Sequence, residues 1–110
     1  MERDLSHFKK DIIDSCNEIN FFVADMDFLT FVKDTKTYSA VLMKISIIGE
    51  ASTHFETEIK RKNSEIDWRN MNDMRNFLIH EYFEVDPKVV WKTIKEDIPE
   101  LLKNMETLVL

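Results

Sequence analysis

The sequence contains few of the residues that break a chain or cross-link it. Its 110 residues include one glycine, two prolines and one cysteine. Glycine and proline dominate tight turns, so their scarcity argues against an all-β chain and favours long helices. A single cysteine excludes an internal disulfide and suits a reducing compartment. Because Cys16 falls within an apolar stripe, we predict that it is a core residue rather than a nucleophile.

An excess of basic charge is also missing. The chain has 15 lysines and arginines against 21 aspartates and glutamates, a net charge of -6. Nucleic-acid binders usually show the opposite balance, so an activity on RNA would need a local basic cleft. No stretch approaches the roughly 18 apolar residues of a membrane span, and the charged start has no apolar core of a signal peptide. We therefore expect one cytoplasmic domain over residues 1–110, without membrane contact.

Apolar residues recur at three- and four-residue intervals along four segments, which predicts four helices. These segments cover residues 2–25, 37–62, 67–81 and 86–108. The second segment has two apolar faces, which predicts a central helix that packs on two sides or forms a dimer. Between the first two segments we predict irregular structure or a short helical turn, with Asp34 and Thr37 as candidate caps. Four helices with short connections indicate an all-α bundle.

Local signals refine these helices. Asp67 and Asp86 are candidate N-caps, and Pro87 suits the first helical position, where its missing N–H costs nothing. Pro99 should kink or split the last helix. Gly49 lies inside a predicted helix, at a cost of about 1 kcal/mol relative to alanine. The close approach of a neighbouring helix would explain it.

The stretch RNFLIHEYFEVD sets Arg75, His80 and Tyr82 among apolar residues that we predict to be core. Histidine can both take and give a proton near neutral pH, and the arginine fork matches phosphate oxygens. Together they suit metal-free cleavage of RNA, whose 2′-OH is an internal nucleophile. On an ideal helix the two side chains lie about 140° apart. They would converge if Arg75 reaches round the helix or if the helix ends near His80.

Taken without other information, Arg75 and His80 are better explained by a structural role than by a catalytic one. A histidine can cap the end of a helix beside a surface arginine without any catalytic role. His7, His54 and His80 share no ligand spacing, so we expect no metal site and no cofactor, with His7 and His54 at the surface. Trp68 and Trp91 lie near helix starts and are predicted to be packing anchors.

Three blocks of sequence strengthen the functional interpretation of Arg75, His80 and Tyr82. In chain order they are AVLMKISIIGEA, IDWRNMNDMRNFLIHEYFEVD and VVWKTIKEDIPEL. The chain resembles, from end to end, the HEPN-domain HepT family, the toxins of HEPN/MNT toxin–antitoxin modules. The first block is similar to the family's Ile-Gly-Glu-Ala signature, and the second to its Arg-x4-His-x-Tyr motif. The third is similar to its terminal helix with an Asp-x-Pro step.

The resemblance implies an up-and-down HEPN bundle of four to five helices that forms a homodimer. It implies a metal-independent endoribonuclease in which Arg75 and His80 of both subunits meet at the dimer interface. Asn76 is a candidate supporting residue. The resemblance also implies that a cognate minimal nucleotidyltransferase, the antitoxin, silences the toxin by transferring AMP from ATP to Tyr82. RNA is then the substrate, and the antitoxin is the protein partner.

Two other interpretations remain open at this point. The chain could be a non-catalytic HEPN dimer that binds the nucleotidyltransferase and serves as its substrate, which the acidic net charge favours slightly. It could also be a plain helical dimerisation domain, although the intact set of Arg75, His80 and Tyr82 argues against that. An RNase assay separates the ribonuclease from the non-catalytic dimer.

Overall fold

The computed structural model describes residues 4–80 and 85–110, without the side chains of residues 77–80. Helix is the only regular structure in this part of the chain, which confirms the predicted all-α class. The helices are α1 Leu5–Val23, α2 Phe28–Lys33, α3 Thr35–Ser52, α4 Thr57–Lys62, α5 Trp68–His80, α6 Pro87–Lys92 and α7 Ile98–Glu106, and a π-helical segment, Thr93–Asp97, joins the last two. None of the described helices is long and apolar enough to cross a bilayer.

Aspartate side chains begin five of the described helices by accepting a backbone N–H of the first turn. They do so at 2.8 to 3.0 Å and are Asp4, Asp27, Asp34, Asp67 and Asp86. These backbone hydrogen bonds hold the pKa of Asp4, Asp27 and Asp34 below the ordinary value. The three aspartates predicted as caps are confirmed. Thr37 is not a cap, because it donates its own N–H and hydroxyl to Asp34.

The prediction of one helix over residues 37–62 is wrong. The chain leaves the helix after Ser52 and re-enters one at Thr57. The hydroxyls of Ser52 and Thr53 each donate to the carbonyl three residues earlier, both at 2.7 Å. They thus satisfy acceptors of the last helical turn and allow the backbone to turn away. The apolar spacing nevertheless continues through the break, since Phe55 is buried.

Pro99 disrupts the last helix, as predicted, and the disruption is a π turn. The widened segment Thr93–Asp97 comes directly before α7, and Pro99 occupies the first turn of α7. Proline has no N–H to donate, and its ring crowds the carbonyl four residues earlier, here that of Lys95. A wider turn relieves this crowding without ending the helix.

The core lies between the long helices. α1 packs against α3 and α7, and α3 packs against both α1 and α5, which confirms the prediction that α3 is packed on two sides. The most deeply buried side chains include Ile12, Cys16, Ile19, Phe31, Val41, Ile48, Ile98 and Met105. Burial raises the pKa of Cys16 to about 12, so the thiol stays protonated. Cys16 is a core residue, as predicted.

Both tryptophans are packing anchors, as predicted. The Trp68 ring lies 5.3 Å from that of Phe55, and its indole N–H donates to the Asn63 carbonyl at 3.1 Å. The Trp91 ring lies 5.1 Å from that of Phe31. Trp68 therefore ties the start of α5 to the turn that follows α4.

Candidate active site

Helices α3 and α5 meet where Gly49 lies against Arg75. A Cβ atom added to Gly49 would overlap the Cβ of Arg75 and would lie 3.1 Å from the Arg75 Cα and 3.2 Å from the Met71 carbonyl oxygen. The atoms that would clash are fixed to the backbone of α5, so a side-chain rotation cannot remove the overlap. This confirms that Gly49 is there for close packing. The neighbour that it admits carries the first residue of the motif.

Gly49→Ala should therefore destabilise the protein although alanine is the better helix former. The substitution gains about 1 kcal/mol of helix propensity but forces α3 and α5 apart, which typically costs about 1–3 kcal/mol or more. We expect a net loss of roughly 1–2 kcal/mol, a fall in Tm of about 5–10 °C by calorimetry at a fixed protein concentration. Ser39→Ala, at an exposed position of the same helix, is the control and should change Tm little. A Gly49→Ala protein more stable than the wild type would contradict this account.

The residue after Gly49 holds the Arg75 side chain. The Nε of Arg75 donates to the Oε2 of Glu50 at 2.6 Å. The Arg75 side chain is 30% exposed and that of Glu50 is 59% exposed, so the pair adds at most about 1 kcal/mol to stability. Its stronger effect is orientation. Glu50 accepts from Nε, and the terminal nitrogens carry further N–H donors that can bind another anion, such as a phosphate.

Asn76 lies next to this ion pair. Its Oδ1 accepts a long hydrogen bond of 3.4 Å from the Nη1 of Arg75. The predicted supporting residue and the predicted catalytic arginine are thus in contact. A supporting role for Asn76 in the reaction stays a prediction.

His80 lies on the same helix as Arg75, since α5 extends from Trp68 to His80. Five residues correspond to a rise of about 7.5 Å along the axis and a rotation of about 140°. The His80 side chain lies outside the described residues, as does Tyr82. The same holds for side chains that we predicted as core on either side of His80, namely Phe77, Leu78, Ile79 and Phe83. The structure therefore locates Arg75, Asn76 and the backbone of His80.

The other two histidines are at the surface, as predicted. His7 and His54 are both exposed, and the His54 ring stacks on that of Phe8 with centroids 4.0 Å apart and planes within 4°. Within the described residues, no three histidine, cysteine, aspartate or glutamate side chains are grouped closely enough to hold a metal ion.

A cavity of about 260 Å³ between α5 and α7 does not have Arg75 in its lining. Its floor includes Met71 and Leu101, and its rim carries four carboxylates, those of Glu65, Asp67, Asp97 and Glu100. Such a rim repels RNA phosphates. The cavity is therefore not part of the candidate active site.

Glu50 is the residue of this site that the sequence analysis did not assign to it. It belongs to the Ile-Gly-Glu-Ala block, but its partner lies 25 residues further on. The preceding glycine is the local signal of a close contact. A mid-helix glycine indicates that another element comes close, and the residues beside it are then the first candidates for contacts with that element.

An all-helical chain with an arginine held at a helix contact, five residues before a histidine, fits the HEPN class of ribonucleases. A family model described as "Ribonuclease HepT-like" matches residues 12–108. The chain belongs to that family, and the resemblance seen in the sequence is confirmed.

Three relatives show how far the likeness extends. A Thermococcus cleftensis protein named "Probable ribonuclease HepT" is 44% identical over 108 residues, which cover 98% of each chain. A Methanocaldococcus jannaschii protein named "Putative RNase" is 36% identical over 96% of each chain. A Caldanaerobacter subterraneus protein, also named "Putative RNase", is 37% identical over 86% of this chain and 85% of its own. No solved structure matches the chain.

Proposed function

We propose that this protein is an endoribonuclease that cleaves RNA with Arg75 and His80 and without a metal ion. The observation that carries the proposal is the Arg75 guanidinium, whose Nε donates to Glu50 at 2.6 Å and whose side chain remains 30% exposed. The family and the names of its relatives support ribonuclease chemistry. An arginine presented in this way can bind the phosphate at the bond to be cleaved.

The reaction follows from these groups. The ribose 2′-oxygen attacks phosphorus, the bond to the 5′-oxygen breaks, and a 2′,3′-cyclic phosphate and a 5′-hydroxyl form. His80 takes the proton of the 2′-OH or gives one to the departing 5′-oxygen. Arg75 stabilises the negative charge that builds up on the phosphoryl oxygens in the transition state.

The test is an assay of the purified protein on single-stranded RNA with and without EDTA. The wild type should cleave RNA and should leave intact the same strand with 2′-deoxy nucleotides. Failure of the purified wild type to cleave any RNA would favour the other interpretation, a HEPN dimer that serves only as a substrate of a nucleotidyltransferase. The net charge of -6 favours that alternative, because negative charge repels RNA.

The same proposal includes a homodimer. Two copies of the motif across a twofold axis remove the requirement that Arg75 and His80 converge within one chain. The described surface also carries large exposed apolar side chains, which a partner could cover. They include Phe21, Leu29, Met43 and Val89, which are 50% to 81% exposed as residues.

We expect a mass of about 26 kDa in solution, twice the 13.1 kDa of one chain. A twofold pair is the commonest assembly of identical chains. Light scattering coupled to gel filtration at micromolar concentration measures this directly. A monomer that still cleaves RNA would contradict the shared site.

The biological setting that we propose is a toxin–antitoxin module. The chain is the toxin, and a cognate minimal nucleotidyltransferase silences it by transferring AMP from ATP to Tyr82. An AMP group there would bring a phosphate close to Arg75 and His80 along the chain. It would compete with RNA for the cation and fill the cleft.

A further inference from the structure

A polar groove of about 340 Å³ opens where the end of α3, α4 and the start of α5 meet. It is lined by Ser52, Thr53, Lys60, Trp68, Arg69 and Asn72. Its lining among the described residues contains two cations and two hydroxyls, an amide and an indole, but no carboxylate. We call it the α4–α5 groove.

The α4–α5 groove adjoins the candidate active site along two helices. Ser52 lies three residues after Gly49 on α3, and Asn72 lies three residues before Arg75 on α5. Gly49 and Arg75 are themselves in contact. The groove therefore lies about one helical turn from the contact between Gly49 and Arg75, whether it is followed along α3 or along α5.

The register of α5 connects the groove with the candidate acid or base. At about 100° per residue, Asn76 lies within about 20° of Arg69, and His80 lies within about 20° on the other side. Arg69, Asn76 and His80 thus occupy one face over a rise of about 16 Å. A strand that follows this face from the groove reaches the position of His80.

Charge at the groove answers the difficulty that the acidic composition raises for an RNA enzyme. The last turn of α4 carries Lys60, Arg61 and Lys62 in succession. Lys60 Nζ lies 5.8 Å from the centroid of the Trp68 ring, so its ammonium sits at the groove. Local basic charge of this kind can bind phosphates on a chain whose net charge is negative.

The acidic neighbours of these cations hold them only weakly. Arg69 Nε lies 3.9 Å from Asp73 Oδ2, with side chains 92% and 63% exposed. Arg61 lies 3.4 Å from Glu58, and that pair is also largely exposed. Exposed pairs of this kind are weak. A phosphate can therefore displace the carboxylates.

We propose that the α4–α5 groove binds the sugar–phosphate backbone of single-stranded RNA beside the bond that Arg75 and His80 cleave. The inference rests on the proposed ribonuclease function. Lys60 and Arg69 contact phosphates and position the strand without reading bases. They bind substrate and transition state alike, so they lower KM and leave kcat unchanged.

The test reverses charge in the groove. Lys60→Glu, Arg69→Glu and the double variant are compared with Lys95→Glu. Lys95 is the matched control because its Nζ lies 4.7 Å from the Trp91 ring centroid, the same ammonium-over-indole arrangement outside the groove. Kd is measured by fluorescence anisotropy with a 2′-O-methyl RNA, which binds but lacks the nucleophile, and KM and kcat are measured with cleavable RNA. Lys60→Gln and Arg69→Gln remove the charge without reversing it, in case a Glu variant does not fold.

We expect each reversal to weaken binding about tenfold and to raise KM to match, with kcat within about twofold of the wild type. The salt slope of log K should become shallower by about one per lost phosphate contact. Arg75→Ala should stop cleavage yet leave the groove variants ranked in the same order for binding. The proposal is overturned if the Lys60 and Arg69 variants bind RNA like Lys95→Glu, or if kcat falls while KM is unchanged. It is also overturned if these variants bind RNA normally and lose only the binding of the nucleotidyltransferase. A wild type that binds RNA through Lys60 and Arg69 but does not cleave it would refute the ribonuclease and leave the groove in place, and absence of RNA binding would refute both.

Discussion

Arg75→Ala and His80→Ala should each lower RNA cleavage by about 10²–10⁴-fold, measured as initial rates on a fluorescent RNA. A general acid or base typically contributes a factor of this size, as does a cation that stabilises transition-state charge. The fold should survive the arginine substitution, because alanine keeps the Cβ that packs on Gly49 and the lost ion pair is partly exposed. Growth arrest on expression, which the proposed toxin role predicts for the wild type, should disappear in both variants.

Two control variants match these substitutions. Lys44→Ala removes a cation that bridges two helices, since Lys44 Nζ lies 2.5 Å from Glu18 Oε2, and His7→Ala removes an exposed histidine. Both controls should cleave RNA at the wild-type rate. Full cleavage by His80→Ala, or loss of wild-type cleavage in EDTA, would refute the metal-free mechanism.

Tyr82→Phe should abolish modification by the antitoxin altogether while leaving the ribonuclease active. In the proposed reaction the tyrosine oxygen is the acceptor: it attacks the α-phosphorus of ATP and loses its proton, the bond to the β-phosphate breaks, and diphosphate leaves. Phenylalanine keeps the ring and lacks this oxygen. A tyrosine pKa near 10 also makes the hydroxyl unnecessary for proton transfer near neutral pH. Intact-mass and peptide mass spectrometry after incubation with the antitoxin, ATP and Mg²⁺ would show AMP on the wild type and none on the variant.

Tyr38 is the matched comparison for Tyr82. Its ring is half-buried and packs 5.4 Å from that of Phe31, and burial raises its pKa. A hydroxyl in that setting is a poor nucleophile, so Tyr38→Phe should be modified like the wild type. AMP that persists on Tyr82→Phe, or that appears on Tyr38, would show that the switch is elsewhere.

Sequence patterns predict the helices whose ends have local signals. Asp34, Asp67 and Asp86 each begin the helix that their position indicated, because an aspartate cap acts on the next two or three residues. The break between α3 and α4 has a weaker signal. Phe55 and Ile59 keep the helical spacing of apolar residues and are both buried, so periodicity alone predicts a continuous helix. The neighbouring hydroxyls of Ser52 and Thr53 are the local feature that indicates the break.

The candidate site is predicted only in part for a related reason. The motif gives Arg75 and His80, but the contact of Arg75 with Glu50 joins residues 25 positions apart on different helices. Such a pairing depends on how α3 and α5 pack, which no periodicity within either helix specifies. Gly49 shows that a neighbour comes close without showing which residue it is. The α4–α5 groove likewise exists only after the two helices are placed together.

The contact between Gly49 and Arg75 also restricts how this protein can change by mutation. The severest overlap of an alanine at position 49, that with the Cβ of Arg75, would disappear if the facing residue became glycine, and the tight contacts with the backbone at positions 71 and 75 would remain. That second change would remove the guanidinium that we propose to act in cleavage. The two requirements therefore conflict: glycine at position 75, which relieves the overlap, also removes the proposed catalytic arginine. Gly49 should therefore be lost chiefly in family members that have already given up catalysis.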